Sequence, residues 1–454
     1  MAGRTSKIDF RDGRRFFLKN EAMRRRYCIS CFLAALCVLF VCSVCAGGII
    51  YVDDDALNDP FPHSASGSDP NECGSQAHPF DTIQEAIDAV EEGSTIEVLP
   101  GSYPDAEPES RHEIDFKNKN FVLRSTDPND WNVVNSTIIN GSVYFGGSED
   151  PNCKLIGFKI YNYKHCIIDG WNTHATISNC NISGNAPCNA PVMMEFDGLI
   201  NNCLIADNNC RCDIYPVIWG CNGIIRNCTI ANNISGIAVN SAVIENSIIY
   251  HNDKDGIQIG VAYGETIEIS YCDIQGGLQG ISAPDGVIWG LGNIDADPCF
   301  VSLGQWDANS AQLSEGDYHL KSFGWRIDEA NPLIWIFDRV TSRCIDAGNP
   351  GYSLNNELMS APNDPYSDYA INVRINMGAY GGTNQASLAP YDWSLQADLN
   401  NDGVVDFEDI SLIAEDWLIG KARNPSDLDR NGVINMCDFA LFGQIWQKST
   451  DWAQ

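Results

Sequence analysis

Two stretches near the C-terminus carry side chains suited to holding a hard cation. Asp398 to Asp409 is a twelve-residue loop, and Asp427 to Asp438 repeats it 29 residues later. Loop one offers oxygen from Asp398, Asn400, Asp402, the Val404 carbonyl, Asp406 (directly or through water) and Asp409. Loop two offers Asp427, Asp429, Asn431, the Val433 carbonyl, Asn435 and Asp438. Calcium takes six to eight such oxygens, and a glycine at the sixth position allows the sharp turn; Gly403 and Gly432 stand there. The expectation is two calcium ions, one per loop. Acidic turns without metal are the plain alternative, and two loops in register argue against it.

Catalytic chemistry is harder to find. Glu195, Asp197, Asp207, Asp213, Asp253, Lys254 and Asp255 are the charged candidates in the middle of the chain, with His165, His174 and His251 lacking a partner motif. They form no recognisable catalytic set, so the catalytic residues are unknown at this stage. Trp289, Trp306, Trp325 and Trp335 offer rings for stacking on sugars or for packing under loops.

The elements that position these groups begin after residue 46. Residues 1–46 hold nine Lys or Arg against three acids, then an apolar run from Cys28 to Val44, then Val44-Cys45-Ala46. That order reads as a secretory signal peptide. Met23 is an alternative start. Arg14-Arg15-Phe16-Phe17-Leu18-Lys19 resembles a twin-arginine export signal, and an uncleaved anchor is the other reading, the run being at the lower limit of a span. The whole chain has 454 residues and a net charge of -32. Such acidity excludes the basic footprint of a nucleic-acid binder and disfavours an anionic membrane surface. The expected protein is secreted, extracellular or on the cell surface, with no membrane contact after cleavage.

The centre of the chain repeats itself. Gly198–Asn208 recurs as Gly223–Asn233, with Ala175–Asn185 before it, Ala242–Asn252 after it and a weaker copy at Ile267–Gly276. The anchors Cys180, Cys203, Cys228, Ser247 and Cys272 lie 23, 25, 19 and 25 residues apart. Variable periods suit coils with loops of different length. Alternation within each copy reads as strand, bend, strand, with the bend after Asn179, Asn202, Asn227 and Asn246, because asparagine tolerates the left-handed conformation. The Cys anchors then point inward. The outward columns are Ser178, Asn201, Arg226, Glu245, Ser270 and Asn181, Leu204, Thr229, Ile248, Asp273, with Arg226 and Glu245 as a surface ion pair. Cys188, Cys210, Cys212 and Cys221 lie outside the ladder and are disulfide candidates; zinc at the last three lacks spacing and a His partner.

These repeats resemble the right-handed parallel β-helix of the pectin-lyase-like superfamily. The ends are similar too. Pro79–Val90 reads as an amphipathic helix capped by Asp81 with Gln84, covering the open end of the solenoid, and Thr95–Tyr103 as the first strand. Asn293–Phe300, Gly316–Leu320, Cys344–Gly348 and Asn376–Thr383 resemble the closing segment of such proteins. The resemblance implies an all-β solenoid over 47–383, with coils at about 95–300 and closure at about 300–383. It also implies polysaccharide lyase or O-glycosyl hydrolase chemistry, glycan binding without turnover, or a structural cell-surface role.

A linker is expected at 384–396 and a small α-helical module at 397–454. Each loop there is followed by a helix with no obvious entering helix, each ends in Asp, and Trp417 and Trp446 match in place. This resembles a type I dockerin. The resemblance implies calcium-dependent docking to a cohesin-type protein, with Phe407, Glu408, Met436 and Cys437 at the partner-selecting positions. The two halves differ there, which counts against symmetric dual binding.

Overall fold

The computed structural model describes residues 47–54, 72–104, 114–161, 166–186, 190–209, 215–252, 256–307, 312–329, 331–358, 361 and 372–453. The expected signal peptide, Cys188, Cys210, Cys212, His165, Asp213 and the Asp253–Asp255 loop lie outside them. Among the described residues no helix is long and apolar enough to cross a membrane.

Each repeat closes one coil from three short strands. Met193–Phe196, Leu199–Asn201 and Leu204–Ala206 make one coil; Ile218–Cys221, Ile224–Arg226 and Thr229–Ala231 make the next. All inter-coil pairing is parallel, which gives three stacked sheets. Sheet one has ten strands, from Ile49–Val52 to Val287–Trp289. Sheet two has eight, from Ile114–Asp115 to Ile281–Ser282. Sheet three starts as Gly101–Pro104, Thr137–Asn140 and Lys159–Ile160, and continues through Asn181 to Leu204–Ala206, Thr229–Ala231, Ile248–Tyr250 and Asp273–Ile274. The molecule is a right-handed parallel β-helix from Ile49 to the end of its coils. The first strand is Ile49–Val52, which pairs with Thr95–Val98, one coil earlier than expected.

Register follows side-chain type. Ile177, Ile200, Ile225, Ile244 and Ile269 stack inside sheet one, and β-branched residues suit such a pleated surface. The chain then turns at Asn179, Asn202, Asn227 and Asn246, with φ of 54, 50, 47 and 51°, as expected of asparagine. Cys180, Cys203, Cys228, Ser247 and Cys272 follow, fully buried. Burial drives the thiols of Cys180 and Cys203 well above their ordinary pKa. Cys221, a disulfide candidate, is instead a buried free thiol facing the same interior.

A second asparagine closes four of the five repeats, and these form the stronger ladder. Asn185 Nδ2 donates to Asn208 Oδ1 (3.0 Å), Asn208 Nδ2 to Asn233 Oδ1 (2.9 Å), Asn233 Nδ2 to Asn252 Oδ1 (2.7 Å) and Asn252 Nδ2 to Gln258 Oε1 (3.1 Å). Each acceptor also takes the backbone N–H of the residue before it in the ladder. Buried amides are tolerable because every polar group is met.

Helix α1 (Ile83–Ala89) covers the N-terminal end with Ile83, Ala86 and Ile87. Its cap is Thr82, one residue later than the expected Asp81, and Thr82 exchanges hydrogen bonds with Glu85 rather than Gln84. Helix α2 (Trp131–Ser136) interrupts an early coil, capped by Asp130.

The C-terminal third does not merely close the end. It folds back along sheet three, where Leu204, Ala206, Ala231, Ile248 and Tyr271 form a core with Tyr318, Leu320, Ile345, Met377, Ala379 and Tyr380. The outward column Leu204, Thr229, Ile248, Asp273 is thus buried: the returning segment packs on Leu204 and Ile248, Thr229 Oγ1 accepts from the Ala379 N–H (3.0 Å) and Asp273 from Cys344 Sγ (3.0 Å). The stretch 384–396 is not a free linker: Ala386, Leu388, Ala389 and Leu395 are buried. Beyond it, α3 (Phe407–Glu415) and α4 (Met436–Gln444) enclose a small core of Leu399, Val405, Ile413, Leu428, Ile434 and Phe442.

The small core is bonded to the solenoid. Tyr271 Oη donates to the Leu399 carbonyl (2.9 Å), and Asn401 Nδ2 to the carbonyls of Gly292 and Ala347 (2.8 Å each). The buried Arg374 guanidinium donates to the carbonyls of Gly348 (2.7 Å) and Asp398 (2.7 Å).

Candidate functional site

The two C-terminal loops have one geometry. Asp398 Oδ1 and Oδ2 accept from the N–H groups of Asp402 and Gly403 (3.2 and 2.8 Å). Asp427 does the same with Asn431 and Gly432 (3.0 and 2.8 Å). Asp409 accepts from Leu399 and Asp406 (2.7 and 2.9 Å), and Asp438 from Asp429 and Asn435 (3.1 and 2.8 Å). Gly403 and Gly432 adopt φ of 88 and 92°, which side chains rarely reach.

Asp406 and Asn435 cap α3 and α4. Asn435 Nδ2 also bonds the Val433 carbonyl (2.9 Å). Asn400 Nδ2 contacts Asp402 (3.0 Å), Asn431 Nδ2 contacts Asp429 (2.7 Å), and Val404 pairs with Ser449 across an isolated bridge.

In loop two, Asp427, Asp429 and Asp438 bring one oxygen each within 4.8 Å of one another. Burial raises Asp398 to about 6 and pushes Asp409 and Asp427 upward from the ordinary carboxylate value. Clustered carboxylates held by backbone donors, with no nitrogen or sulfur ligand, fit a hard divalent cation. The four residues expected to choose a partner begin the two helices. Phe407 is 75% and Met436 64% exposed, and Glu408 and Cys437 also face solvent.

The solenoid presents a different surface. Sheet one is partly covered where Arg226 Nε meets Glu245 Oε2 (3.2 Å). Tyr352 Oη donates to the same carboxylate (2.5 Å), so the expected surface pair is largely enclosed. Sheet two carries the outward column Asp115, Tyr144, Asp169, Met194, Trp219, Ala238, Gly260, Ser282. Trp171 and Trp219 on this face are 54% and 44% exposed. The Tyr144 ring lies 6.5 Å from Trp171. Burial, then Asp169 and Asp115, push the Tyr144 phenol upward.

Trp171, Asn172, Glu195 and Gly220 all have positive φ, so the chain bulges outward at this corner. Beside it runs a groove of about 540 Å3 lined by Ser148, Glu149, Asp150, His174, Asp197 and Leu199, among others. Glu149 is held by Gly146 N–H (2.7 Å), Gly147 N–H (2.9 Å) and Thr173 Oγ1 (2.9 Å).

Of the candidates named from sequence, Glu195, Asp197 and His174 fall in this region, while Asp115, Tyr144, Asp169, Trp171 and Trp219 were missed. Sheet two lies outside the repeated motif, so no column was visible there. The signal available was the two exposed-type tryptophans in strand-like segments. Asp207 is not at this face: it is buried, accepts from Tyr318 Oη and Gly316 N–H (3.1 Å), and its carbonyl takes Trp306 Nε1 (2.8 Å). Trp289, Trp306, Trp325 and Trp335 are half-buried, with Trp325 edge-on to Phe337 at 5.5 Å. His251 packs against Tyr250.

Residues 125–287 match the family model described as "Right handed beta helix region". No curated protein matches the chain. Among solved structures the chain is similar to one titled "Crystal structure of pectate lyase Pel9A", with 13% identity over 74% of this chain and 97% of that one, at a TM-score of 0.29. A likeness that distant says nothing of activity.

Proposed function

We propose that this is a secreted, polysaccharide-associated β-helix protein whose C-terminal module is a dockerin-like, two-calcium element that docks on a cohesin-type partner. Sheet two is the glycan-facing surface. The observation that carries this is the pair of exposed indoles, Trp171 and Trp219, on the face that also carries Asp115, Tyr144 and Asp169. Soluble proteins seldom leave such rings open without use, and a flat ring stacks on a sugar face. Two loops with matching carboxylate geometry support the calcium element, and the exposed Phe407 and Met436 support docking at the helix starts.

A second reading makes the same face catalytic. Asp115, Asp169 and Glu195 lie along it, which favours lyase or hydrolase chemistry over a purely structural role. One experiment separates the readings. The whole chain is incubated with a polysaccharide panel, with and without calcium, and both unsaturated-uronate absorbance and new reducing ends are followed beside retention on each insoluble glycan. Retention without product is the expected result, and W219A with W171A weakens it at least tenfold. Absorbance would establish a lyase, and reducing ends alone a hydrolase. Absence of retention and product across the panel overturns the glycan reading and leaves the module as the functional part.

A further inference from the structure

Among the described residues the most open aliphatic side chain lies on none of the surfaces above. Leu333 is 91% exposed. It belongs to a hairpin of the closing segment, in which Arg326–Asp328 pairs antiparallel with Asn331–Ile336. Phe323, Ile334, Phe337 and Val340, in the same hairpin or beside it, are 45, 45, 59 and 49% exposed. The Phe337 ring lies 6.1 Å from that of Phe323 and 5.5 Å from that of Trp325.

The register explains why these side chains face out. Ile327 pairs with Trp335 and Asp328 with Asn331, so residues 332–334 are inserted opposite nothing. A bulge of that kind re-aims side chains, here Leu333 and Ile334. Pro332 within it has no N–H to give, so the edge does not invite a further strand; what it offers is side chains. The base is fixed. Trp335 packs with Trp325, Leu358 and Leu388, and Ile327 is buried. Arg326 grips Asp338, Nε to Oδ2 (2.9 Å) and Nη2 to Oδ1 (3.3 Å), and the Asp338 N–H donates to the Ser322 carbonyl (2.7 Å). An apolar face on so firm a footing loses little freedom when it is covered.

Two magnitudes choose the occupant. The first is area. A large ring buries ~150–250 Å2, so the five exposures leave ~500 Å2 of apolar side chain open per copy. Two copies face to face cover ~1,000 Å2, the size at which specific interfaces begin. The second is charge. The chain has 28 basic and 60 acidic residues, so two copies repel over most approaches. Residues 321–340 hold Lys321, Arg326 and Arg339 against Asp328, Glu329 and Asp338, a net of zero. A second copy meets no such repulsion here, and one patch presented by both copies is self-complementary about a two-fold axis.

We propose that this hairpin face pairs two copies of the chain in solution, with Leu333, Ile334 and Phe337 of each packed against the other. Neither the indoles of sheet two nor the two C-terminal loops take part, so the pairing stands or falls apart from the glycan and calcium readings. The test is sedimentation equilibrium of the whole chain in calcium, over a range of protein concentration, at low and at high salt.

The mass is expected to rise with concentration from one chain to two and no further. Pairing is tighter at high salt, where screening weakens the repulsion between two acidic bodies. L333D weakens it tenfold or more, at an unchanged melting temperature measured at a dilution where the native chain is single. V340D does the same from a separate segment, which covers the case in which L333D fails to fold. W171A with W219A, and F407D with M436D, leave pairing intact. A native chain that stays single at every concentration and salt overturns the proposal and hands the face to another occupant, the chain's own residues 362–371 or a foreign protein. Equal pairing in L333D and V340D, loss of pairing in either control pair, or growth beyond two copies overturns it as well.

Discussion

Replacing Asn208 by leucine tests whether the amide ladder holds the coils together. The Asn208 side chain accepts from the Asn185 N–H (2.9 Å) and Nδ2 (3.0 Å), and donates to Asn233 Oδ1 (2.9 Å) and the Ile182 carbonyl (2.9 Å). Leucine is close in size, so no large cavity opens. Asn185 Nδ2 keeps the Ile160 carbonyl (3.2 Å), and Asn233 Oδ1 keeps the Asn208 N–H (3.0 Å). The Asn185 N–H and the Ile182 carbonyl lose this partner. At ~1–3 kcal/mol per buried unmet group, the cost is ~2–6 kcal/mol. That is a large share of the ~5–15 kcal/mol that holds a folded domain. Equilibrium urea unfolding followed by circular dichroism measures it. The matched control is Asn179→Gly at the bend, where φ is 54° and glycine is at ease. It gives up one hydrogen bond, to the Pro128 carbonyl (3.1 Å), and shifts stability by ~1 kcal/mol or less. If N208L costs no more than N179G, the ladder is not what secures the coils.

Three further outcomes follow from the same structure. Under the calcium reading, titration of the whole chain gives two ions bound, D427N reduces this to one, and chelation lowers the melting temperature, since a ligand at a hundred times its Kd adds ~2.7 kcal/mol. A thiol-alkylating reagent labels exposed Cys73 and Cys437 in the native chain within minutes, whereas Cys180, Cys203, Cys228 and Cys272 react only after unfolding, as peptide mass spectrometry reads. Asp273 is pushed by burial from 3.8 to about 7, with Cys344 Sγ donating to it (3.0 Å). A raised carboxyl pKa means the folded state holds the proton more tightly, so its share of stability is present at low pH and lost as pH rises towards 7. Integrated from pH 5 to 8 this is ~2–3 kcal/mol, and D273N flattens that part of the stability profile; an unchanged slope would remove Asp273 from the account.

The coils were legible because their chemistry repeats. Asparagine before a buried Cys, at the bends of Asn179, Asn202 and Asn227, is a local signal, and parallel stacking follows once equal residues must align. The second asparagine of four copies was equally visible. Its role was not, because a ladder of amides is defined by neighbours 19–25 residues away along the chain.

Sheet two was read least well for the opposite reason: Tyr144, Asp169, Met194 and Trp219 share a column but no residue type. The burial of Leu204, Thr229 and Ile248 depended on a segment more than a hundred residues later, and no local pattern announces such a return. The two C-terminal loops, by contrast, are dictated almost wholly by spacing, since each carboxylate bonds N–H groups within ten residues of itself.

The way Arg374 and Tyr271 reach across to the C-terminal module, and Asn401 reaches back from it, has an evolutionary consequence. A small module that travels between proteins by recombination must end in a surface that any host tolerates. Here the donor of one partner meets a buried carbonyl of the other at several points. A cut at 384–396 would bare Leu388 and strand the Arg374 guanidinium without the Asp398 carbonyl. The pair has therefore been fitted to each other, and a graft of residues 397–454 onto a foreign chain would carry away only part of what keeps it folded.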